Sequence, residues 1–391
     1  MAATTISSHS AAAAHAGHAA SGPSASGLAP QQRDALEAML AWFAASGPDA
    51  PIFRLFGYAG TGKTTLARHL AHLIQGKVLY AAYTGKAALQ LARAGCPRTS
   101  TLHSLIYTTK TLPDGRMAFR VNPRSELRDA ALLVVDECSM VDEAMARDIL
   151  GFGVPIVALG DPAQLQPHKG KGYFTSVRPD AMLTEIHRQA RDNPIIRIAT
   201  DIRQGRALNY GDHGTVRILR RGTLTADDLL AHDQILVGKR ATKDAFAARL
   251  RTHQKRKGPI PEPGEKLVCL RNDAGTGIFN GGLYTVLSRH ESDIPDHVGL
   301  TVRSIDLAET PPIRVSVHEA FFTGEADTLS PAQRRDSAAF ESGLALTGHK
   351  AQGSQWPDVI AYDESGCFGN QARAWLYTVV TRAQNRLTLV R

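Results

Sequence analysis

A glycine-rich stretch with the spacing of a phosphate-binding loop occupies residues 57–64 and reads GYAGTGKT. Its glycines allow the backbone to wrap a polyphosphate, so that successive N–H groups point at the phosphate oxygens. Lys63 can reach the β- and γ-phosphates, and the Thr64 hydroxyl can bind Mg²⁺. A short apolar run precedes the loop, and a segment of helical periodicity follows it. This order of strand, loop and helix predicts a nucleoside triphosphate site rather than a chance glycine-rich turn.

A second group of candidate residues follows two further apolar runs that read as buried strands. Asp136 and Glu137 come directly after residues 132–135 (LLVV), and a continuous apolar run is typical of a strand buried on both faces. We expect Asp136 to hold the Mg²⁺ shell and Glu137 to polarise the attacking water. Gln164 follows residues 155–159 and is placed to sense the γ-phosphate or to orient the water. Together with the loop, these residues predict hydrolysis of the nucleotide.

Length and composition describe an ordinary globular protein. The chain has 391 residues, which leaves room for two or three domains and a sizeable core. Hydrophobic residues make up 43% and charged residues 21%, and the net charge of +8 favours a polyanionic partner. No apolar run is long enough to span a membrane, so we expect no membrane partner. The cysteines form no CxxC pair, which indicates reduced thiols and a cytoplasmic location.

The first 27 residues differ in composition from the rest of the chain. They are rich in Ala, Ser, His and Gly and contain no Lys or Arg, whereas a signal or transit peptide needs basic residues. We therefore predict that residues 1–27 form a disordered tail without a targeting signal.

Alternating strand-like and helix-like segments organise the chain into two predicted α/β domains. The first, residues 28–179, carries the loop and both carboxylates, and its alternation implies a parallel sheet covered by helices. The second is discontinuous and comprises residues 180–258 and 343–391. Between its two parts, residues 259–342 contain short strand-like runs separated by turn signals. This pattern predicts an inserted small β-barrel.

A series of short motifs, in order along the chain, is similar to the helicase motifs of superfamily one. The chain resembles in particular the RecD-like branch of that superfamily, which includes the phage Dda helicases. The resemblance covers nearly the whole chain from Leu28 onward. The motifs begin at Leu28, Gly57, Tyr83, Thr101, Asp136, Gly160, Leu183, Leu346 and Tyr377.

The resemblance implies an α/β fold with two RecA-like parallel-sheet domains, a β-hairpin insertion in the first and a small β-barrel insertion in the second. ATP and Mg²⁺ would bind in the cleft between the two domains. Gln32 would read the adenine edge. Arg188 and Arg382 would reach from the second domain as arginine fingers, because a guanidinium offers planar donors to the charge that develops on the γ-phosphate. The other nucleotide contacts implied are Gly60, Thr61, Gly62, Lys63, Thr64, Thr65 and Gly353.

The same motifs imply a groove that binds single-stranded DNA. Hydroxyls and lysines suit phosphate oxygens, and an imidazole can stack on a base or donate a hydrogen bond to a phosphate. For each histidine, a buried and hydrogen-bonded role is the alternative. The groove residues implied are Thr84, Lys86, Thr101, His103, Thr347, His349 and Lys350.

The activity implied by the resemblance is that of an ATP-dependent DNA helicase that translocates on single-stranded DNA with 5′ to 3′ polarity. Single-stranded DNA and duplex junctions are the expected partners, with replication or recombination proteins as candidates. We expect a monomer in the cytoplasm of a bacterial or phage-infected cell. One alternative is a nucleic-acid-stimulated ATPase or translocase, on DNA or RNA, that does not separate strands. The intact ATPase residues disfavour a pure binding module, and a phosphate-loop kinase or GTPase would leave the two C-terminal motifs unexplained.

A candidate β-hairpin interrupts the first domain at about residues 107–121. Two short strand-like runs there flank a Pro-Asp-Gly turn signal. Tyr107, Met117 and Phe119 carry side chains able to stack on an opened base pair. These features predict a strand-separating pin, and the alternative is a surface hairpin whose apolar residues pack on their own domain.

Overall fold

The computed structural model describes most of the chain from residue 27 to residue 391. The described ranges are residues 27–47, 51–111, 117–166, 172–186, 192–273, 276–307 and 309–391, with the backbone alone at residues 109–111 and 117–118. The tail predicted for residues 1–27 therefore lies outside the described residues, apart from Gly27.

Nineteen strands are present in the described residues. The first eight are β1 (Ile52–Gly57), β2 (Val78–Ala82), β3 (Thr99–Thr101), β4 (Tyr107–Thr111), β5 (Met117–Val121), β6 (Leu132–Asp136), β7 (Ile156–Gly160) and β8 (Ala181–Leu183). They are followed by β9 (Gly211–Asp212), β10 (Val216–Leu219), β11 (Gln234–Val237), β12 (Lys266–Cys269), β13 (Leu283–Glu291), β14 (His297–Ser304), β15 (Ile313–His318), β16 (Phe340–Ser342), β17 (Ala345–Thr347), β18 (Trp356–Tyr362) and β19 (Ala383–Val390).

Eleven α-helices accompany these strands in the same described ranges. They are α1 (Pro30–Ala45), α2 (Lys63–Leu73), α3 (Gly85–Arg93), α4 (Leu102–Ile106), α5 (Glu143–Leu150), α6 (Pro194–Gln204), α7 (Ala226–Leu230), α8 (Arg240–His253), α9 (Ala320–Thr323), α10 (Pro331–Arg335) and α11 (Ala372–Val380). None of the described helices combines the length and apolarity that crossing a membrane requires.

The first sheet has six parallel strands in the order β3-β2-β6-β7-β1-β8. Its central strand β6 is apolar on both faces because each face has its own core. Leu132 and Val134 pack in one cluster, and Leu133 and Val135 pack in the other. The predicted α/β class with a parallel sheet is confirmed. Since the strands are parallel, the residues that follow β1, β6 and β7 lie at one edge of the sheet.

The second sheet also has six strands, in the order β17-β11-β18-β19-β10-β9, and only the short β9 is antiparallel to its neighbour. Helix α11 packs against it with an unbroken buried run from Trp375 to Val380. The apolar cluster around Trp375 also includes Leu165, which follows β7 of the first sheet. The cores of the two sheets therefore meet directly behind the β7 edge.

The remaining strands form two antiparallel sheets. Five strands pair in the order β15-β14-β13-β12-β16, around an apolar cluster that includes Tyr284 and Phe340. They lie within residues 259–342, and the closure of this third sheet into a barrel stays a prediction. Strands β4 and β5 pair with each other, from Tyr107 opposite Val121 to Thr111 opposite Met117. The role of this pair as a pin also stays a prediction.

Candidate active site

The phosphate loop joins β1 to α2 at the edge where the strands of the first sheet end. Gly60 and Gly62 have φ angles of 77° and 81°, in the left-handed region that glycine adopts without a steric penalty. The Lys63 ammonium donates hydrogen bonds to the carbonyl oxygens of Gly57 at 2.7 Å and Tyr58 at 3.3 Å. The loop thus holds the lysine against its own backbone, and phosphate oxygens would compete with those carbonyls for its protons.

The two predicted acidic residues lie beside the loop at the end of β6. Asp136 accepts a hydrogen bond from the Glu137 N–H at 2.8 Å and another from the Thr64 hydroxyl. Burial and the neighbouring Glu137 charge raise the pKa of Asp136 to about 6, although Lys63 opposes the shift. Glu137 has a φ of 49°, which is uncommon for a residue with a side chain and is frequent at functional sites.

A cavity of about 520 Å³ opens between the phosphate loop, β6 and the second sheet. The predicted residues that line it are Gly60, Gly62, Lys63, Thr64, Thr65, Asp136, Glu137, Gln164, Gly353 and Arg382. The buried Gln164 Oε1 has no hydrogen-bond partner among the described residues. Such an orphaned acceptor fits a site that binds a polar ligand or a water. The hydroxyl and carboxylate oxygens of Thr64 and Asp136 are the donor type that Mg²⁺ prefers.

Arg382 brings a cation from the second sheet to these carboxylates. It lies between α11 and β19 and is 3% exposed. Its Nε donates to the Thr378 carbonyl at 2.9 Å, and its Nη1 lies 3.7 Å from Glu137 Oε1. The structure therefore places one predicted arginine at the predicted catalytic carboxylate. Arg188, the other predicted arginine, lies outside the described residues.

Gln32, the residue predicted to read the adenine edge, is 3% exposed and hydrogen-bonded within the protein. Its Nε2 donates to the Thr61 carbonyl at 3.0 Å, and its Oε1 accepts the Ala29 N–H at 3.1 Å. Gln32 thereby fixes the start of α1 to the phosphate loop. Thr61 is itself buried, and a contact of Gln32 or Thr61 with the nucleotide stays a prediction.

Two residues that the motif analysis gave no role connect the sheets beside the cavity. The Tyr377 hydroxyl donates to Asp161 Oδ2 at 2.8 Å and accepts the Ala59 N–H at 2.8 Å. Tyr377 is part of α11, Asp161 follows β7, and Ala59 belongs to the phosphate loop. The only local indication of this link is that Tyr377 lies in an apolar helix, where its side chain is expected to be buried. A buried tyrosine hydroxyl usually has a hydrogen-bond partner.

The loop after β7 is held from the second sheet at a further residue. The Leu165 N–H donates to Thr378 Oγ1 at 2.7 Å, and the Leu165 carbonyl accepts from Gln352 Nε2 at 2.8 Å. Both backbone groups of Leu165 thus bind residues of the segments that adjoin the second sheet, Thr378 in α11 and Gln352 after β17. Because Gln164 precedes Leu165 directly, these bonds also hold the backbone from which the Gln164 side chain extends.

Both lysines predicted to bind DNA are paired with carboxylates of the segment that carries the third sheet. Lys86 is 2% exposed, and its Nζ lies 3.2 Å from Asp306 Oδ1 and 4.1 Å from the centroid of the Trp356 ring. Lys350 Nζ donates to Glu341 Oε1 at 2.6 Å. Burial lowers the pKa of Lys86 although Asp306 opposes the shift. A phosphate contact by either lysine stays a prediction, and it would require these ion pairs to open.

The three predicted hydroxyls all make local hydrogen bonds to the backbone. Thr84 Oγ1 accepts the Ala87 N–H at 3.2 Å and Thr101 Oγ1 accepts the Ser104 N–H at 3.1 Å, so each caps the helix that follows it. Thr347 Oγ1 accepts the Lys350 N–H at 3.4 Å. These bonds account for the residue types without DNA, and their contacts with DNA stay predictions.

His103 belongs to an aromatic cluster at the base of the β4–β5 pair. Its ring centroid lies 5.5 Å from that of Tyr83, 5.8 Å from Tyr107 and 5.9 Å from Phe119. Burial lowers the pKa of His103, so its neutral form is favoured. His349 packs 5.6 Å from Phe368, centroid to centroid. Base or phosphate contacts by the two histidines stay predictions.

This chain is similar to two known domain families and to curated DNA helicases. A family model described as an AAA domain matches residues 12–221, and one described as a UvrD-like helicase C-terminal domain matches residues 342–390. The ATP-dependent RecD2 DNA helicase of Deinococcus radiodurans is 29% identical over 85% of this chain and 46% of its own length. The ATP-dependent DNA helicase dda of Enterobacteria phage T4 is 28% identical over 38% of this chain and 37% of its own length. The chain thus spans less than half the length of these two relatives.

Solved structures share the fold of nearly the whole chain. A Pif1 helicase structure described for unwinding of forked double-stranded DNA covers 93% of this chain with a TM-score of 0.55 and 18% identity. Bacteroides Pif1 bound to single-stranded DNA covers the same share with a TM-score of 0.54 and 18% identity. At this level of identity the likeness concerns the fold alone.

Proposed function

The chain belongs to the family described as an AAA domain, and we propose that it is an ATP-dependent DNA helicase that moves on single-stranded DNA and separates duplexes. The predicted resemblance to superfamily-one helicases of the RecD-like and Dda-like branch is confirmed by the matched family models and relatives. One observation carries the proposal. Lys63, Glu137 and Arg382 line one cavity, although Lys63 and Glu137 adjoin strands of the first sheet and Arg382 adjoins β19 of the second.

The residues around the cavity divide the chemistry of ATP hydrolysis between them. Lys63 would bind the β- and γ-phosphates once they displace its loop carbonyls. Thr64 and Asp136 would hold Mg²⁺, which would neutralise charge on those phosphates. Glu137 would orient and deprotonate the attacking water, and Gln164 offers a free acceptor close to it. Arg382 would stabilise the charge that develops on the γ-phosphate.

Arg382 also connects hydrolysis to movement between the two sheets. We take the first two sheets as RecA-like motor domains, with the third sheet as a small inserted barrel. A cation supplied from the opposite domain is in place only when the domains close, so each hydrolysis step would be linked to a closing movement. The residues predicted to hold DNA phosphates lie on both domains. Closing and opening would therefore change their separation and advance the strand.

The β4–β5 pair is proposed as the pin that separates the strands. Phe119 is 61% exposed, and its ring rests on Tyr107 and His103 at centroid distances of 5.9 Å. An exposed aromatic ring supported by two others can stack on a terminal base pair without moving itself. The neighbouring His103 belongs to the predicted DNA groove, so the strand would pass close to this ring.

Strand displacement on tailed duplexes tests the proposed function. Fluorescently labelled DNA duplexes with a 5′ or a 3′ single-stranded tail are mixed with ATP, Mg²⁺ and the protein, and ATP turnover is measured in parallel. We expect the 5′-tailed duplex to be unwound, and Lys63→Ala to remove both unwinding and turnover. Lys77→Ala is the matched control, because Lys77 pairs with Glu126 in the same domain, away from the loop.

The other outcomes of this experiment identify the alternatives. Turnover stimulated by DNA without displacement on either tail would identify a translocase that does not separate strands. If turnover is stimulated only when the duplex carries an RNA tail, again without displacement, the protein is an RNA-directed enzyme. Turnover that responds to neither nucleic acid would refute the proposal.

A further inference from the structure

The Tyr377 hydroxyl joins α11 to both the phosphate loop and the loop that follows β7. It accepts the N–H of Ala59 in the phosphate loop and donates to Asp161 at the end of β7, each at 2.8 Å. Tyr377 is 1% exposed and Asp161 is 4% exposed, so neither bond is shared with bulk solvent. Burial and the Asp161 charge raise the pKa of Tyr377 well above its usual value, so the hydroxyl remains a donor.

The two partners of Tyr377 flank the groups that would contact the γ-phosphate. Ala59 precedes Gly60 in the phosphate loop, and Asp161 lies three residues before Gln164, whose N–H donates to the Asp161 carbonyl at 3.2 Å. The second oxygen of the Asp161 carboxylate accepts the Ala163 N–H at 2.9 Å. Asp161 therefore fixes the loop that carries Gln164, and Tyr377 fixes Asp161.

On its other side, Tyr377 is connected to Arg382 through hydrogen bonds at the end of α11. The Tyr377 carbonyl accepts the Thr381 N–H at 3.1 Å, and the Thr378 carbonyl accepts Arg382 Nε at 2.9 Å. Thr378 also binds the Leu165 N–H. One turn at the end of α11 thus contacts the phosphate loop, the Gln164 loop and Glu137.

We propose that Tyr377 is a positioning residue for ATP hydrolysis, whose hydroxyl holds the phosphate loop and the Gln164 loop in register with Arg382. The inference rests on the proposed ATPase function. The hydroxyl touches no reacting atom. It determines whether the first-domain groups face the arginine when the two sheets are closed.

The test is Tyr377→Phe, which removes the hydroxyl and keeps the ring in the core. We expect kcat for ATP at saturating single-stranded DNA to fall by about tenfold, the size expected for one lost hydrogen bond that acts on the transition state. The Kd of a fluorescent ATP analogue should change by less than about twofold, because one hydrogen bond outside the phosphate contacts is lost. Tyr284→Phe is the matched control, since Tyr284 is 0% exposed and its hydroxyl accepts the Phe279 N–H at 3.2 Å in the third sheet. It should keep the parental kcat at saturating single-stranded DNA.

Asp161→Asn reports on the same hydrogen bond from the first sheet, and the double variant completes the cycle. If the two side chains act together, the double variant should be no slower than the slower single variant. Parental kcat in Tyr377→Phe would overturn the proposal, as would a weakened Kd with unchanged kcat. If Tyr377→Phe folds poorly, as judged by its Tm, parental kcat in Asp161→Asn overturns it instead. If DNA does not stimulate turnover of the parental protein, the proposed function is refuted. The effect of Tyr377→Phe would then be measured on turnover without DNA.

Discussion

Arg382 and Glu137 approach to 3.7 Å, from Nη1 to Oε1, although Glu137 follows β6 of the first sheet and Arg382 precedes β19 of the second. The arginine is held in place by its Nε bond to the Thr378 carbonyl and an Nη1 bond to the Ser354 carbonyl at 3.3 Å. Glu137 directly follows β6, and its backbone lies in the left-handed region. The pair therefore marks the end of the cavity where the γ-phosphate and its attacking water are expected, and the two side chains would have to separate to admit them.

This geometry predicts that Arg382→Ala slows hydrolysis far more than it weakens ATP binding. The contact should strengthen as charge develops on the γ-phosphate, and by analogy with other arginine fingers kcat should fall by about a thousandfold. The measurement is steady-state turnover together with the Kd of an ATP analogue. Arg382→Lys keeps the charge without the planar fork and should restore little of the rate.

Arg386→Ala is the matched control for Arg382. Arg386 lies on β19 close to Arg382, but its side chain is 70% exposed and pairs with Asp358 at 2.5 Å. Its loss should leave kcat near the parental value. A collapse of nucleotide affinity in Arg382→Ala, with parental turnover at saturation, would show that Arg382 is a binding residue and no more.

Asp136→Asn should stabilise the nucleotide-free protein at neutral pH while it removes hydrolysis. Burial beside Glu137 raises the pKa of Asp136 to about 6, above the value of 3.8 for an exposed aspartate. Above pH 6 the Asp136 carboxyl is ionised in the folded protein, although its ionisation costs more free energy there than in the unfolded chain. The ionised carboxylate therefore destabilises the folded protein. That destabilisation fades as the pH falls from about 6 towards 4, where the folded protein binds the proton first.

Thermal unfolding without nucleotide or metal measures this effect. The gain in Tm of Asp136→Asn over the parental protein should be larger at pH 7.5 than at pH 5. Asp129→Asn, at an exposed aspartate of the same domain, should show no such difference. An equal shift of Tm at both pH values would mean that the Asp136 carboxylate is not destabilised by its surroundings.

The parts of the site that could be predicted from the sequence are those in which neighbouring residues act together. The phosphate loop is one contiguous stretch between a strand and a helix, and Asp136 ends an apolar strand. Because parallel strands present their carboxyl ends at one edge, the residues after β1, β6 and β7 had to converge. The cavity formed by Lys63, Asp136 and Gln164 follows from these local patterns.

The parts that could not be predicted depend on partners far away in the sequence. Tyr377 and Asp161 are 216 residues apart, and nothing near Tyr377 marks its hydroxyl as the link between two loops. From the sequence, Lys86 is expected to be an accessible cation at the start of a helix. In the structure its side chain is 2% exposed and pairs with Asp306. Burial of a charge depends on how the third sheet packs on the first, and no local pattern encodes that packing.

Lys350 provides a test of the predicted DNA groove because its ion pair can be changed from either side. If Lys350 contacts a phosphate, Lys350→Ala should weaken single-stranded DNA binding and reduce the slope of log Kd against log salt concentration by about one. Glu341→Gln should have the opposite effect on affinity, since it releases Lys350 and also Lys243, which lies 2.7 Å from Glu341. Lys77→Ala serves again as the control. An unchanged salt slope in Lys350→Ala would assign Lys350 to a structural ion pair.

Phe119 distinguishes a pin from an ordinary surface hairpin. If its exposed ring blocks the second strand, Phe119→Ala should lower the rate of duplex unwinding several-fold, while DNA-stimulated ATP turnover persists, because the ring does not line the nucleotide cavity. Replacing residues 109–120 by a short Gly/Ser link should remove unwinding altogether. Leu73→Ala, at an apolar residue 58% exposed at the end of α2, is the matched control. Unwinding at the parental rate in the hairpin replacement would place strand separation elsewhere, and the third sheet would be the next segment to test.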